Sequence, residues 1–373
     1  MRTYYNPFYQ SSRSADLQMS ETHDDERRTD HPDTSSGALR RRSFIVAAGA
    51  SATGIGGATG ATPGRGSGDD APGNRRHDES NRSEFIGRDG EPDLIAHRGF
   101  AGLYPENTVG AVDAAARGGQ SPIAPSRGAD MIEIDVVPTA ENDVVVFHDS
   151  RLADRDGGER GLTDTEGVVW ETDTATVTNA EVLASGETVP RLRSVLEAIP
   201  PHVGVNVELK NPGSFDVAFA ESLPPAELEE RKQRWQPFVA RVLDVVDDFH
   251  HEYLFSSFYE AALATTRDAS DYAVAPLLWN SVRDGVEIAR RYDSEAIHPP
   301  YHMIRGTPFY ADQRYEDGAG WSDIDLLAVA HEESRDVNVF TLATWYQGEQ
   351  LAAAGVDGLI SDHADVLRFG ATR

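Results

Sequence analysis

The chain of 373 residues contains no cysteine. That excludes disulfides, a thiolate nucleophile, cysteine-ligated zinc and a lipid anchor on cysteine. Lysine is nearly absent: of 34 Lys and Arg residues only Lys210 and Lys232 are lysines. The net charge is −28. Residues 1–61 carry seven arginines and seven acids, so the whole excess lies in residues 62–373. A body this acidic repels phosphate backbones, which argues against a nucleic-acid partner, and it lacks a basic patch for anionic lipid. An acid-rich, lysine-poor composition fits a protein kept soluble in high salt, where screening reduces self-repulsion. A Gly-rich dinucleotide turn and an internal repeat are both lacking.

The front of the chain is not built like a folded domain. Residues 1–39 are polar and mixed in charge, the composition of disorder. Arg40-Arg41-Arg42-Ser43-Phe44-Ile45 then leads into a Gly/Ala-rich apolar run, Val46 to Ala61. Adjacent arginines before a weakly hydrophobic segment resemble a twin-arginine export signal. The run is short for a membrane span of about 20 residues, so stable insertion of the mature domain is not expected. Cleavage near Ala58–Ala61 and an uncleaved anchor both remain open, and either places the folded part outside the cytoplasm. Residues 62–92, rich in Gly, Asp, Asn and Arg, read as a flexible linker. The folded domain is expected over residues 93–373.

Within that domain short β-like runs alternate with helical stretches. Strands are predicted at Leu94–Ala96, Met131–Val136, Val144–Phe147, Val203–Leu209, Tyr253–Ser256, Val274–Leu278, Ala296–His298, Val337–Thr341 and Gly358–Ser361. Helical patterns separate many of them, including Pro190–Ala198, Leu228–Asp247 and Ala261–Arg267. This alternation predicts an α/β fold with a parallel sheet, and eight or nine strands favour a closed TIM (β/α)8 barrel.

Polar residues gather at the predicted strand ends: His97, Glu133, Asp135, His148, Glu208 and Lys210. In a TIM barrel the C-terminal strand ends converge on one mouth. The period of two puts Glu133 and Asp135 on one strand face, and Glu208 with Lys210 on another. Two buried carboxylates on one face repel each other unless a cation lies between them. Glu133, Asp135 and Glu208 therefore form a candidate oxygen-ligand site for Mg²⁺ or Ca²⁺; outward-facing carboxylates paired with arginine are the alternative. His97 and His148 are candidates for a general acid and base. Arg98 and Lys210 are candidates for holding a phosphate.

The ordered set His97-Arg98-Gly99, Pro105-Glu106-Asn107-Thr108, Glu133-Ile134-Asp135-Val136, Phe147-His148-Asp149, Val207-Glu208-Leu209-Lys210 and Gly355–Asp362 resembles the glycerophosphodiester phosphodiesterase family over roughly residues 93–370. The resemblance implies a TIM barrel with a small insertion after an early strand, here about 149–190. It implies a divalent cation on Glu133, Asp135 and Glu208, and acid–base roles for His97 and His148. Arg98 and Lys210 would hold the phosphate, with Glu106 and Asn107 in support. The implied reaction converts a small-molecule glycerophosphodiester to glycerol 3-phosphate and an alcohol. A family Trp-Thr-Val-Asn pattern is replaced here by Phe340-Thr341-Leu342-Ala343, with Trp345 out of register. That departure leaves open a phospholipase D-like reaction on lysolipids or sphingomyelin. A non-catalytic extracytoplasmic barrel that binds phosphate or metal would be marked by loss of a catalytic histidine, and both are present. The stretch Gly118–Gly128 looks inserted, as a surface loop or a lid.

Overall fold

The computed structural model describes residues 91–118, 127–156, 158–219, 221–279, 281–311 and 324–367. The export-signal and linker readings, and most of the Gly118–Gly128 stretch, lie outside the described residues.

The chain forms β1 (Asp93–Ala96), α1 (Val109–Arg117), β2 (Met131–Pro138), β3 (Val144–Val146), α2 (Thr174–Asn179), α3 (Leu192–Ala198), β4 (Gly204–Leu209), α4 (Pro225–Val246), β5 (Tyr253–Ser257), α5 (Glu260–Ala269), β6 (Ala273–Pro276), α6 (Val282–Arg291), β7 (Ala296–Ile297), α7 (Leu326–Glu332), β8 (Asp336–Leu342), α8 (Trp345–Ala354) and β9 (Gly358–Ser361). The strands pair in the order β6-β5-β4-β2-β1-β9-β8-β7, with β3 off this path on β2. The open ends meet through a parallel bridge between Leu277 and His298. There Leu278 N donates to His298 O and His298 N to Pro276 O, both at 2.9 Å. Eight parallel strands thus close into the barrel that the β/α alternation predicts.

The strands are apolar on both faces because helices cover the outside and side chains fill the inside. Outward residues such as Ile132, Ile134, Val205, Val207, Phe255 and Val339 pack in one core with the helices. On α4, Trp235, Phe238, Val239, Val242 and Val246 recur at helical spacing and supply the buried stripe. A second, smaller cluster joins Ile95, Met131, Leu254, Ala275, Ala296 and Ile360, which plug the barrel's lower interior.

One predicted strand has a different place. Val144–Phe147 is not a member of the barrel wall. As β3 it runs antiparallel to β2, with Val146 opposite Val136. A short connection over residues 139–143 allows only a hairpin, since a parallel neighbour needs a crossover of a dozen or more residues. The segment that follows, up to Pro190, folds on its own small core of Val145, Phe147, Leu152, Leu162, Val169, Val177 and Val189. This segment is a small insertion after an early strand, and β3 anchors it to the mouth.

Candidate active site

The first βα turn explains a tripeptide. After Ala96 the chain makes a single helical turn, His97–Gly99, in which Arg98 has φ 50°. Gly99 has φ 75°, and a Cβ there would lie 2.9 Å from the Ala111 side chain of α1. Only glycine serves at that position. The sharp turn points the Arg98 backbone N–H at Glu133 Oε2, 2.8 Å away.

The next motif follows similar logic. Thr108 caps α1, its hydroxyl accepting from Ala111 N at 3.2 Å. Asn107, in the left-handed region at φ 59°, is held in two directions by Asp135. Its Nδ2 donates to Asp135 Oδ2 at 2.9 Å, and its Oδ1 accepts from Asp135 N at 3.3 Å. Glu106 is buried between two arginines, accepting from Arg98 Nη1 at 2.8 Å and from Arg155 Nη1 and Nη2 at 2.9 and 2.7 Å. Burial alone would raise its carboxyl, but Arg98 and Arg155 outweigh it and hold Glu106 well below the usual range.

Glu133, Asp135 and Glu208 converge. Asp135 and Glu208 are neighbours across the β2–β4 register, and one ligand oxygen from each of the three lies within 4.8 Å of the others. All three side chains are buried. Burial, together with Asp135 and Glu208, pushes the Glu133 carboxyl well above its ordinary value. Burial works in the same direction on Asp135, but Arg98, His148 and Lys210 outweigh it and keep that carboxylate charged. Lys210 Nζ donates to Glu208 Oε1 at 2.8 Å and lies 3.7 Å from Asp135 Oδ1. Burial disfavours its charge, yet these two carboxylates hold it charged. Glu133 Oε1 and Asp135 Oδ1 are buried without a hydrogen-bond partner. Orphaned, crowded carboxylate oxygens are what a hard divalent cation would satisfy, so the donor set fits Mg²⁺ or Ca²⁺.

Each histidine is backed by an aspartate. His97 Nδ1 meets Asp362 Oδ1 at 2.6 Å, just past β9. His148 Nδ1 meets Asp149 Oδ1 at 2.9 Å, and Asp149 Oδ2 accepts from Arg155 Nη1 at 3.0 Å. A carboxylate on Nδ1 fixes the tautomer and leaves Nε2 as the nitrogen for proton transfer. His148 reaches the mouth from the antiparallel β3, not from a barrel strand end.

Two cavities flank Glu208 and Lys210. The larger, about 210 Å³, runs from His97, Arg98 and Glu133 past Asn206 and Ser256 to an apolar wall of Phe258, Trp279 and Phe340. The smaller, about 40 Å³, lies on the His148 side beside Trp170 and Phe215. Phe340 and Thr341 therefore line the site although their motif departs from the expected pattern, while Trp345 is 47 % exposed at the start of α8.

All nine residues singled out from the sequence gather at this mouth. Both expected phosphate holders are already partly occupied: Lys210 Nζ is on Glu208, and Arg98 has Nη1 on Glu106 and Nε 3.1 Å from Asp135. That leaves Nη2 of the fork without a protein partner among the described residues. Sequence reasoning gave no role to Asp149 and Asp362, although both stand inside the quoted motifs, and it missed Arg155, whose position in the insertion carries no pattern. Asn206 could have been found, since the period of two that aims Glu208 inward aims Asn206 inward as well.

A (β/α)8 barrel with its titratable residues collected at the C-terminal mouth defines a barrel enzyme. Residues 97–366 match the Glycerophosphoryl diester phosphodiesterase family, and the chain belongs to that family. A glycerophosphodiester phosphodiesterase of Bacillus altitudinis is 26 % identical over 277 residues, covering 73 % of this chain and 95 % of its own. The probable glycerophosphodiester phosphodiesterase 2 of Mycobacterium tuberculosis is 27 % identical over 297 residues, covering 76 % and 92 %. Among solved structures, an Oleispira antarctica phosphodiesterase in complex with the product sn-glycerol-3-phosphate superposes with a TM-score of 0.55 at 21 % identity, covering 74 % of this chain and 96 % of that one. A Silicibacter pomeroyi protein described as a glycerophosphoryl diester phosphodiesterase gives 0.54 at 23 %, covering 76 % and 93 %. These two likenesses concern the fold.

Proposed function

We propose that the chain hydrolyses glycerophosphodiesters to glycerol 3-phosphate and an alcohol, with the phosphodiester seated over Glu208 and Lys210 between the two cavities. The observation that carries this reading is the convergence of three buried carboxylates with two aspartate-backed histidines in one mouth. Lys210 and the Nη2 edge of Arg98 hold the phosphate oxygens, a point charge and half of a fork. A divalent cation on Glu133, Asp135 and Glu208 would add positive charge next to the oxygens that become more negative in the transition state. His97 takes the proton of the nucleophile, and Asp362 stabilises the imidazolium that results. His148 gives a proton to the departing alkoxide, oriented by Asp149. The nucleophile is water, or the glycerol hydroxyl beside the ester, which would give a cyclic phosphate that is then opened. Both routes use the same two histidines. Asn107 and Glu106 touch no substrate in this scheme; they fix Asp135 and Arg98.

The test is turnover of glycerophosphodiesters by His97→Ala and His148→Ala, each expected to fall by about 10²–10⁴-fold, the size of a general acid or base contribution. Near-normal turnover by either variant would remove that histidine from the scheme. The twin-arginine-like segment supports export to the cell surface or beyond, which detection of the protein in the external fraction would check.

A further inference from the structure

Arg155 stands in the insertion and lines neither cavity, yet it holds two buried carboxylates of the site at once. Its place is set by a tight hairpin. Asp154 bridges Arg160, Arg155 N donates to Glu159 O at 2.8 Å, and Gly158 N donates back to Arg155 O at 2.8 Å. From there Nη1 donates to Glu106 Oε1 at 2.9 Å and to Asp149 Oδ2 at 3.0 Å, and Nη2 donates to Glu106 Oε2 at 2.7 Å. Two parallel bonds on one carboxylate are the strong, directional form of an arginine–carboxylate pair.

Glu106 has a second arginine beside it. Arg98 gives it one bond only, from Nη1 to Oε1 at 2.8 Å. A guanidinium facing a carboxylate closes on it through two N–H groups when both oxygens are open. Here Arg155 Nη2 covers Oε2, so Arg98 cannot complete that two-bond pair. The rest of Arg98 is fixed by its backbone bond to Glu133 and by Asp135 beside Nε. The contact with Glu106 is therefore the one that would spread to Nη2 if Oε2 were open. Arg98 lines the larger cavity, where Nη2 is the edge left for an anion.

We propose that Arg155 is a positioning residue for phosphate recognition: by occupying Oε2 of Glu106 it keeps the Nη2 group of Arg98 available for a phosphate oxygen. Arg155 touches no substrate and acts through Glu106 and Arg98. Through Asp149 it ties the same arrangement to His148, so phosphate holder and proton donor are set by one guanidinium. The inference rests on the phosphodiesterase reading above, in which Arg98 holds the phosphate.

The experiment titrates the full-length, Mg²⁺-loaded protein with inorganic phosphate in a calorimeter. In Arg155→Met, Oε2 is open and Arg98 closes on it, so phosphate affinity is expected to fall by about tenfold or more, the size of one charge-assisted hydrogen bond. The decisive variant combines Arg155→Met with Glu106→Gln. An amide presents one acceptor oxygen, so Arg98 again has a single bond to give and the double variant should recover most of the lost affinity. A residue that only holds the fold gives the opposite sign, because a second buried substitution adds to the damage. Arg155→Lys is the milder variant: a lone ammonium cannot cover Glu106 and Asp149 with parallel bonds, so binding should weaken, and Glu106→Gln should again restore it. If Arg155→Met does not fold, the lysine pair of variants decides. Unchanged affinity in the single variants, a double variant weaker than its single parent, or no phosphate binding by the unsubstituted protein would each overturn the proposal. Turnover of glycerophosphocholine is measured alongside. Phosphate binding with the expected signs but no turnover would remove the phosphodiesterase reading and sustain the role of Arg155.

Discussion

At the scale of single residues, the site is a problem of surplus negative charge solved by placement. Glu106, Glu133, Asp135, Asp149, Glu208 and Asp362 face three permanent cations, Arg98, Arg155 and Lys210. The arginines are committed to Glu106, Asp135 and Asp149, so the unrelieved repulsion falls on Glu133. Replacing Glu133 by Gln should stabilise the metal-free protein by roughly 1–3 kcal/mol, since a neutral amide removes the crowded buried charge. The same variant should lose the rise in Tm that Mg²⁺ or Ca²⁺ gives the parent protein. Thermal scans with and without the ions check both, and a metal-induced rise equal to the parent's would contradict the ligand assignment. Asp362→Asn keeps the shape at His97 but offers the ring an amide in place of an anion. Its kcat should drop about 10²-fold or more, with an unchanged metal-induced rise in Tm, which separates orientation of His97 from metal binding.

The same scale shows what sequence alone could carry. Glu133, Asp135, Glu208 and Lys210 were legible because a period of two on a strand converts spacing directly into a shared face. Asn107 and Gly99 were legible as motif letters but not as physics: their positive φ values become necessary only once the turn packs against α1. Arg155 was not legible. It reaches Glu106 across 49 positions from an irregular loop, and irregular backbone has no period from which direction could be read.

At the scale of elements, the barrel strands were visible from alternation with helices, and β3 was visible as a strand but not as a hairpin. Three apolar residues carry no information about direction; the five-residue link to β2 does. The consequence is functional. His148 is attached to the insertion, with its small core of Leu152, Val169 and Val177, whereas His97 is attached to the barrel. Leu152→Ala, at a fully buried position, should destabilise by about 2–5 kcal/mol. The loss should be local, so hydrogen exchange is expected to quicken over residues 148–190 while β1, β4 and β5 stay protected. Uniform quickening would show that the insertion and the barrel unfold as one unit.

At the scale of the whole molecule, acidity reaches beyond the active mouth. At the opposite end of the barrel, burial and then Asp357 and Asp93 raise the Asp336 carboxyl to about 7, and burial and then Asp130 raise Asp93 to about 6. An acid raised in the fold contributes stability that is full below its unfolded value of 3.8 and is lost as pH rises through the folded one. Asp336→Asn should therefore raise Tm at pH 8 and give little at pH 4. Since Asp336 is partly exposed and screened, the gain at pH 8 is about 1 kcal/mol, or roughly 2–4 °C for a domain of this size. Equal effects at both pH values would contradict the assignment. No helix among the described residues is long and apolar enough to cross a membrane.

The measurement that bears most directly on the central claim is release of glycerol 3-phosphate from glycerophosphocholine by the full chain in high salt, after EDTA and again after adding Mg²⁺ or Ca²⁺. EDTA is expected to stop release and one of the two ions to restore it, the better ion naming the resident metal. Undiminished release in EDTA would contradict the role of Glu133, Asp135 and Glu208 as cation ligands, and no release by folded, metal-loaded protein would contradict the substrate class.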